Sequence, residues 1–463
     1  MMSTQSLSAM QGALRSPGVK FFVIGLIGFF LLIPASMVWM LVTERQDRAA
    51  GAQAEVAQSW GAAQTLGGVF ISVPYETQQE MQTAKGFVVQ QVRRTALFLP
   101  EDITYEVGSQ SDDRKRGIFT VPVYDAKVLV SGRFKRPVAD DIGNLTDADM
   151  VWSEAVLVMP VSDPRAIRAG ARIEIDGRSR IIEPGTGLRN RVPQKGIHVG
   201  RLFESTPSGF SFRLEYGLKG STSFAVVPGA RTTHVEMVSD WAHPSFSGAY
   251  LPDSSTISED GFTAEWTVPH LALSMPLAFS AEMDTGFGLG SDQSLGVRFY
   301  QPVDHYALVD RAIKYAVLFI GSVFIAVFVL ETRSGRAVHG AQYALMGLAL
   351  VLFYVLLLAL AEHIGFTMAY GAAGLATTAL VSTYCARLLA SRLLGALIAA
   401  LLATVFGLLY LFLQMQDFAL LAGAIFAFVV LAAVMFSTAS LDWSGRGGAN
   451  PVAAPSGADT AQG

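Results

Sequence analysis

The sequence predicts a membrane α-helical protein of six spans, with an all-β domain, sandwich-like or jelly-roll-like, between spans one and two. Three observations predict it. Apolar residues concentrate at 20–42 and again from about 312 to 440. The stretch between these blocks has the composition of a soluble domain and reads as short alternating strands. The whole chain carries only 16% charged residues, against about 25% in ordinary soluble domains. Its mean hydropathy is +0.40.

A helix rises about 1.5 Å per residue, so about 20 apolar residues cross a hydrocarbon core of about 30 Å. Residues 20–42 run from Lys20 through FFVIGLIGFFLLIPASMVWMLV without a further charge. A positive n-region (Arg15, Lys20) also suits a signal peptide. No small-x-small cleavage site follows Pro34 at the right distance, so the segment reads as an uncleaved anchor. The later apolar runs are Ala312–Leu330, Tyr343–Ala361, Gly365–Tyr384, Leu393–Leu413 and Phe418–Ala439. The last four are joined by short loops, which makes them an antiparallel series.

Lys and Arg in short flanks set orientation. Arg15, Lys20, Arg333, Arg336, Arg387, Arg392 and Arg446 fall on one side, and the alternate loops 362–364 and 414–417 carry none. Both termini are therefore expected in the cytoplasm and the middle domain outside it. Arg45, Arg48, Arg311 and Lys314 dissent, but they flank a long translocated segment, where the rule is weaker. The expected organisation is a cytoplasmic N-terminus (1–19), a first span (20–42), and a β-rich domain with a helical N-terminal extension (43–311). A five-helix block (312–440) and a disordered Gly/Ala/Pro/Ser-rich cytoplasmic tail (441–463) complete it.

Within the middle domain the helical extension is expected to run to the Leu66-Gly67-Gly68 break. Beyond it, Phe210–Tyr216 alternates strictly between apolar and polar residues. Arg172–Ile175 precedes Asp176-Gly177, a strong hairpin signal. Residues 118–134, 221–227, 232–238, 262–268 and 295–299 read as further strands. The single cysteine, Cys385, lies in the helical block, so no disulfide staples this domain and its core must come from size.

No catalytic or cofactor motif is present, and no metal site is expected. Gly286–Ser291 is glycine-rich but precedes a strand, unlike a phosphate-binding loop. The histidines are scattered singly rather than at metal-ligand spacing. A net charge of −4 without a basic stripe argues against nucleic acid as a partner.

Three groups of residues carry functional expectations. Trp241, His243, Pro244, Phe246 and Tyr250 fill a non-periodic loop that could present aromatic anchors to a partner; the plainer alternative is a loop folded back onto its own core. Asp304, His305, Asp310, Arg311 and Lys314 stand where the domain meets span two. They read as a polar coupling element or, more plainly, as interfacial anchoring with Tyr306, Tyr315 and a snorkelling Lys314. Glu362 and His363 follow span three, where the outer interface relieves the cost of burying them.

Several strings together resemble the CreD family of bacterial inner-membrane proteins. They are Gln64–Gly68 with Val73-Pro-Tyr75, Arg116–Tyr124, His243–Phe246 with Leu251-Pro252, and Gly261–Trp266. The helical block adds Val309–Ile320, Gln342–Leu350, Ala361–Phe366, Gln414–Leu420 and Leu441-Asp-Trp443. The resemblance covers roughly 15–445. It implies an inner-membrane location with residues 43–311 periplasmic, a role in envelope integrity and colicin tolerance, and membership of a two-component regulon that influences β-lactamase expression. It brings no catalytic residues to carry over.

The leading expectation is a non-enzymatic envelope protein in the lipid bilayer, with the β-domain binding a periplasmic or envelope partner, a lipid or a cell-wall component. A transporter or channel through the helices competes, as does an envelope-modifying enzyme built on groups such as Asp240 and His243. No span carries a charge at its middle, which disfavours transport. Nothing in the sequence sets the oligomeric state.

Overall fold

Pro34 has no N–H to give to the carbonyl of Phe30. The first helix, α1 (Pro17–Phe30), ends at that carbonyl. The second, α2 (Leu32–Trp60), takes Pro34 into its first turn, where a missing donor costs little. Leu31 N–H still bonds Ile27 O at 3.0 Å and Ala35 N–H bonds Leu31 O at 3.1 Å, so the helical run continues through the break. The computed structural model describes residues 17–439, apart from 84–85, 144, 189–194, 205, 284, 286, 291, 300–304, 335–336 and 416–418. The tail expected to be disordered lies outside the described residues.

By internal packing the chain divides into residues 1–48 with 303–463, and residues 49–302. The expected edges were 43 and 311. In the first unit α1 and the start of α2 are joined by α3 (His305–Lys314), α4 (Ala316–Ser334), α5 (Gly340–Ile364), α6 (Phe366–Leu388), α7 (Arg392–Gln414) and α8 (Ala419–Thr438). The expected second span is thus two helices that break at Tyr315. Four runs among the described residues are long and apolar enough to cross a membrane: Gly18–Trp60, Ala316–Ser334, Gly340–Ile364 and Arg392–Gln414. Gly423–Phe436 is a shorter apolar stretch. The Gly, Ala, Thr and Ser content of α6 dilutes its apolar character.

Helix α5 lies at the centre of this unit's core. Tyr343, Met346, Gly347, Leu350, Tyr354, Leu357 and Ala361 recur at three- and four-residue steps and are all buried. Its start is capped: the His339 ring accepts from Ala341 N–H at 3.2 Å, and Gln342 Oε1 accepts from His339 N–H at 2.7 Å. Gly347 makes room for the α1–α2 break. A Cβ there would overlap Leu31 and approach Phe324 Cζ to 2.8 Å.

The second unit opens on the end of α2. The helix stops at Trp60, short of the expected Leu66, because Gly61 turns the chain at φ +152. A Cβ on Gly61 would meet Lys219 O at 2.6 Å. The strands follow as β1 (Gln64–Leu66), β2 (Phe70–Thr83), β3 (Gly86–Phe98), β4 (Asp102–Arg116), β5 (Phe119–Phe134) and β6 (Val156–Pro160). Next come β7 (Arg172–Ile175), β8 (Arg178–Arg180), β9 (Glu183–Pro184), β10 (Gly196–Val199), β11 (Phe210–Ser221) and β12 (Ser223–Val226). The last are β13 (Thr232–Ser239), β14 (Pro244–Gly248), β15 (Ser254–Ser258), β16 (Gly261–Pro269), β17 (Ala278–Ser280) and β18 (Leu295–Phe299). A single helical turn, His270–Leu273, and three 3-10 turns interrupt them.

These strands form three sheets, ordered β1-β12-β18-β14, β17-β3-β2-β6-β10-β9 and β15-β16-β13-β4-β5-β11-β7-β8. Two pairings are parallel, β1 with β12 and β4 with β13. A jelly roll or simple sandwich is two antiparallel sheets, so the expected label gives way to a broader one, a β-rich domain. Parallel pairs need long crossovers, which residue patterning does not reveal. The Asp176-Gly177 hairpin is as expected: both residues take positive φ, +47 and +73, between β7 and β8. Strand β11 buries alternate residues, Phe210, Phe212, Leu214 and Tyr216. Trp266, Tyr105, Phe70 and Phe224 are among the largest fully buried side chains.

Glu101 gives this unit an acid-sensitive anchor. Burial opposes its ionisation, but Lys135 (2.9 Å) and Arg231 (2.8 Å) outweigh that and hold its carboxyl below the ordinary range. A depressed folded-state pKa stabilises above the unfolded value, and that contribution disappears as pH falls through the folded value. The melting temperature of the wild type should therefore fall more steeply below about pH 4.5 than that of Glu101→Gln. Parallel pH profiles for the two proteins would contradict this.

Candidate functional site

Helix α3 is amphipathic. Val309, Ala312 and Ile313 are buried on one face, and Asp310, Arg311 and Lys314 lie off it. Asp310 is the hub of the polar face. One carboxylate oxygen accepts from the indole N–H of Trp39 on α2 at 3.0 Å, and the other meets Lys314 Nζ at 2.6 Å. Arg311 donates to the backbone carbonyls of Leu413, at the end of α7, and Ala307, each at 3.4 Å. Asp304 lies outside the described residues. The Nδ1 atom of His305 is buried and has no hydrogen-bond partner among the described residues.

Glu362 occupies the last turn of α5, where the partial negative charge of the helix end disfavours a carboxylate. Two groups offset this. Tyr306 Oη donates to Glu362 Oε1 at 3.1 Å, and Arg45 on α2 approaches the same oxygen at 3.6 Å. The Glu362 side chain is only 11% exposed, so its carboxylate is shielded from water, while Arg45 is 33% exposed. His363 beside it is exposed. The structure thus brings Asp310, Arg311, Lys314 and Glu362 into a polar clasp between α2, α3, α5 and α7, and leaves His363 outside it. The chemistry of the clasp is that of a latch between helices.

Trp39 and Arg45 are the clasp members that carried no functional expectation. A signal existed for Arg45: it stands just past span one, and Glu362 just past span three. Opposite charges at matching depth on neighbouring spans make natural partners.

A second polar cluster joins α1, α4 and α5. Glu331, in the last turns of α4, is 4% exposed. Its carboxylate binds Lys20 Nζ from α1, accepts from Val338 N–H at 2.7 Å, and accepts from Tyr343 Oη on α5 at 2.8 Å. Lys20 was read only as a flanking charge, and Glu331 sits one residue beyond the expected span end at Leu330.

The aromatic group of the β-rich unit is arranged differently. Pro244–Gly248 is a strand, β14, paired with β18 rather than a free loop. Trp241 packs edge-on against Phe299, with centroids 6.0 Å apart, and its indole N–H reaches His243 O at 3.0 Å. Phe246 packs edge-on against Phe262 and Trp266, each at 5.9 Å. Tyr250 Oη donates to Ala272 O at 3.1 Å, and partial burial raises its phenol pKa above the ordinary value. Pro244 is half-buried, and His243 and Leu251 are exposed. Asp240 accepts Ser111 N–H at 2.8 Å through its Oδ1.

No group of three or more His, Cys, Asp or Glu that could hold a metal occurs among the described residues. The sequence profile of the family described as "Inner membrane protein CreD" matches residues 16–444. This chain belongs to the CreD family. It is 32% identical over 424 residues to "Inner membrane protein CreD" of Escherichia coli (strain K12), covering 89% of this chain and 90% of that one. Solved structures similar to parts of this CreD-family chain include an M1 zinc metallopeptidase from Deinococcus radiodurans. The match has 11% identity, covers 43% of this chain and 42% of that chain, and gives a TM-score of 0.23. A crystal form of that enzyme with bound peptide matches 72% of this chain and 93% of its own at 0.22. Superpositions this loose imply neither a shared fold nor a shared activity.

Proposed function

We infer that this CreD-family protein is a non-enzymatic component of the bacterial inner membrane that supports envelope integrity under stress. In this reading six helices cross the bilayer, both termini are cytoplasmic, and the β-rich unit, residues 49–302, is periplasmic. That domain binds an envelope partner, a lipid or a cell-wall component, and the clasp at Asp310 and Glu362 holds helices of the bundle together. The observation that carries the reading is the family match over nearly the whole chain, including the β-rich unit. The clasp adds to it. Asp310, Arg311 and Glu362 engage other clasp groups or backbone carbonyls, as in a latch.

The test is deletion of the gene followed by challenge with detergent, colicin and β-lactam. The deletion should change sensitivity, and the wild-type gene should restore it. Glu362→Ala should lower bundle stability by about 1–2 kcal/mol, because Tyr306 and Arg45 lose their acceptor, and should complement less well. Unchanged sensitivity in the deletion strain, with no partner cross-linked from exposed His243 or Leu251, would overturn the reading.

A further inference from the structure

We propose that the bundle holds one anionic phospholipid, its acyl chain in a groove between α1–α2 and α4 and its headgroup at Lys314. The groove has a volume of about 380 Å³. Gly25, Gly28 and Ala35 form one wall, and Ile313, Ala316 and Gly321 the other. Gly25 and Gly321 face open space: a Cβ on either would touch nothing within 4 Å. The two walls belong to Gly18–Trp60 and to α4 with the end of α3, and both Gly18–Trp60 and α4 have the length and hydropathy of membrane spans. At that depth water cannot fill an apolar groove, and leaving it empty forfeits dispersion contacts along its length. Hydrocarbon is the occupant that the surroundings supply.

The two ends of the groove differ, and the difference selects the headgroup. At the Phe21 end the adjoining cation, Lys20, is locked onto Glu331, whose side chain is only 5% exposed, and Arg333 stands about two helical turns beyond the groove's last residue, Ile325. At the Ala35 end the walls run directly into the Trp39–Asp310–Lys314 chain. Trp39 is one turn beyond Ala35, and Lys314 is next to Ile313. The Lys314 side chain is 64% exposed; with one of its three donors on Asp310, the others can reach a phosphate. Trp39 is 46% exposed and offers its ring at headgroup level. Arg45 faces Glu362, Arg48 faces Glu44 and Arg311 meets backbone carbonyls, whereas Lys314 keeps donors beyond its contact with Asp310. A Lys at the membrane surface attracts an anionic headgroup by about 1 kcal/mol, which a zwitterionic headgroup does not match.

The test uses the full chain in phosphatidylcholine nanodiscs doped with a phosphatidylglycerol tracer that carries a photoactivatable diazirine in its acyl chain. Labelling should concentrate on residues 21–35 and 313–325. Gly25→Leu and Gly321→Leu, whose added side chains enter open space, should each remove most of it while leaving the melting temperature unchanged. Lys314→Gln should lower phosphatidylglycerol labelling about five-fold and leave a phosphatidylcholine tracer unaffected. Three results would overturn the proposal. One is labelling spread evenly over the exposed faces of α6 and α7. Another is equal response of both tracers to Lys314→Gln. The third is disulfide dimers of Gly25→Cys in a Cys385→Ser background, which would assign the groove to a second copy of the chain.

Discussion

Replacing Glu331 with alanine is expected to destabilise the helical unit by about 3 kcal/mol, the lower end of the range for breaking a buried ion pair. One carboxylate holds Lys20, Val338 N–H and Tyr343 Oη together, so a single truncation strands three donors on three segments. Val338 is buried, and its N–H cannot turn to water without moving the turn that leads into α5. The Lys20 side chain is 26% exposed, so it can swing toward the interface, which keeps the loss from the upper end of the range. Lys20→Met should therefore cost less than Glu331→Ala. Thermal unfolding of the full chain in nanodiscs measures both. A Glu331→Ala protein within about 0.5 kcal/mol of wild type, the scatter of ordinary surface changes, would contradict this reading of the cluster.

Trp60→Ala should cost about 2–3 kcal/mol in the β-rich unit and free the last turns of α2 from it. Trp60 closes α2 with its ring held between two cations, Arg114 Cζ at 4.2 Å and Lys219 Nζ at 4.1 Å from the centroid. Its indole N–H donates to Tyr124 O at 3.2 Å. One turn earlier Val56 packs on Val121 and Val123, and Glu55 pairs with Arg116 at 2.7 Å. These contacts tie the end of α2 to the β4–β5 hairpin. Limited proteolysis between residues 49 and 63 should accelerate sharply in Trp60→Ala and only modestly in Trp60→Phe, which keeps a ring face for the cations. Equal cleavage of wild type and Trp60→Ala would remove Trp60 as the anchor.

Much of this was legible in the residues because the local signals were strong. Asp176-Gly177 dictates its turn wherever it occurs, and the Phe210–Tyr216 alternation can bury only one face. Long apolar runs mark helices whatever surrounds them. The misses have a common cause. Strands β2 and β4 end in polar stretches, ETQQEMQT and GSQSDDRKR, whose sequences show no apolar–polar alternation. Their pairing is set by neighbours far along the chain. The polar strand β14 is likewise a strand only because β18 lies beside it. The clasp was half legible: Asp310, Lys314 and Glu362 stood out as charges at the edges of spans. Their partners Trp39 and Arg45 lie more than 250 residues from Asp310 and Glu362, and only tertiary packing reveals them. Glu331 was missed because a charge just past an apolar run reads as interfacial. In the fold, Val338 N–H and Tyr343 Oη enclose its carboxylate.

The proposed role rests on a β-rich unit that lies outside the cytoplasm, and reporter fusions test that topology most directly. A phosphatase that is active only in the periplasm, fused after residue 200, should be active. The same reporter at the C-terminus should be silent, and a fluorescent protein that matures only in the cytoplasm should give the reverse pattern. Both fusion points reporting the same compartment would contradict the topology and, with it, a periplasmic partner.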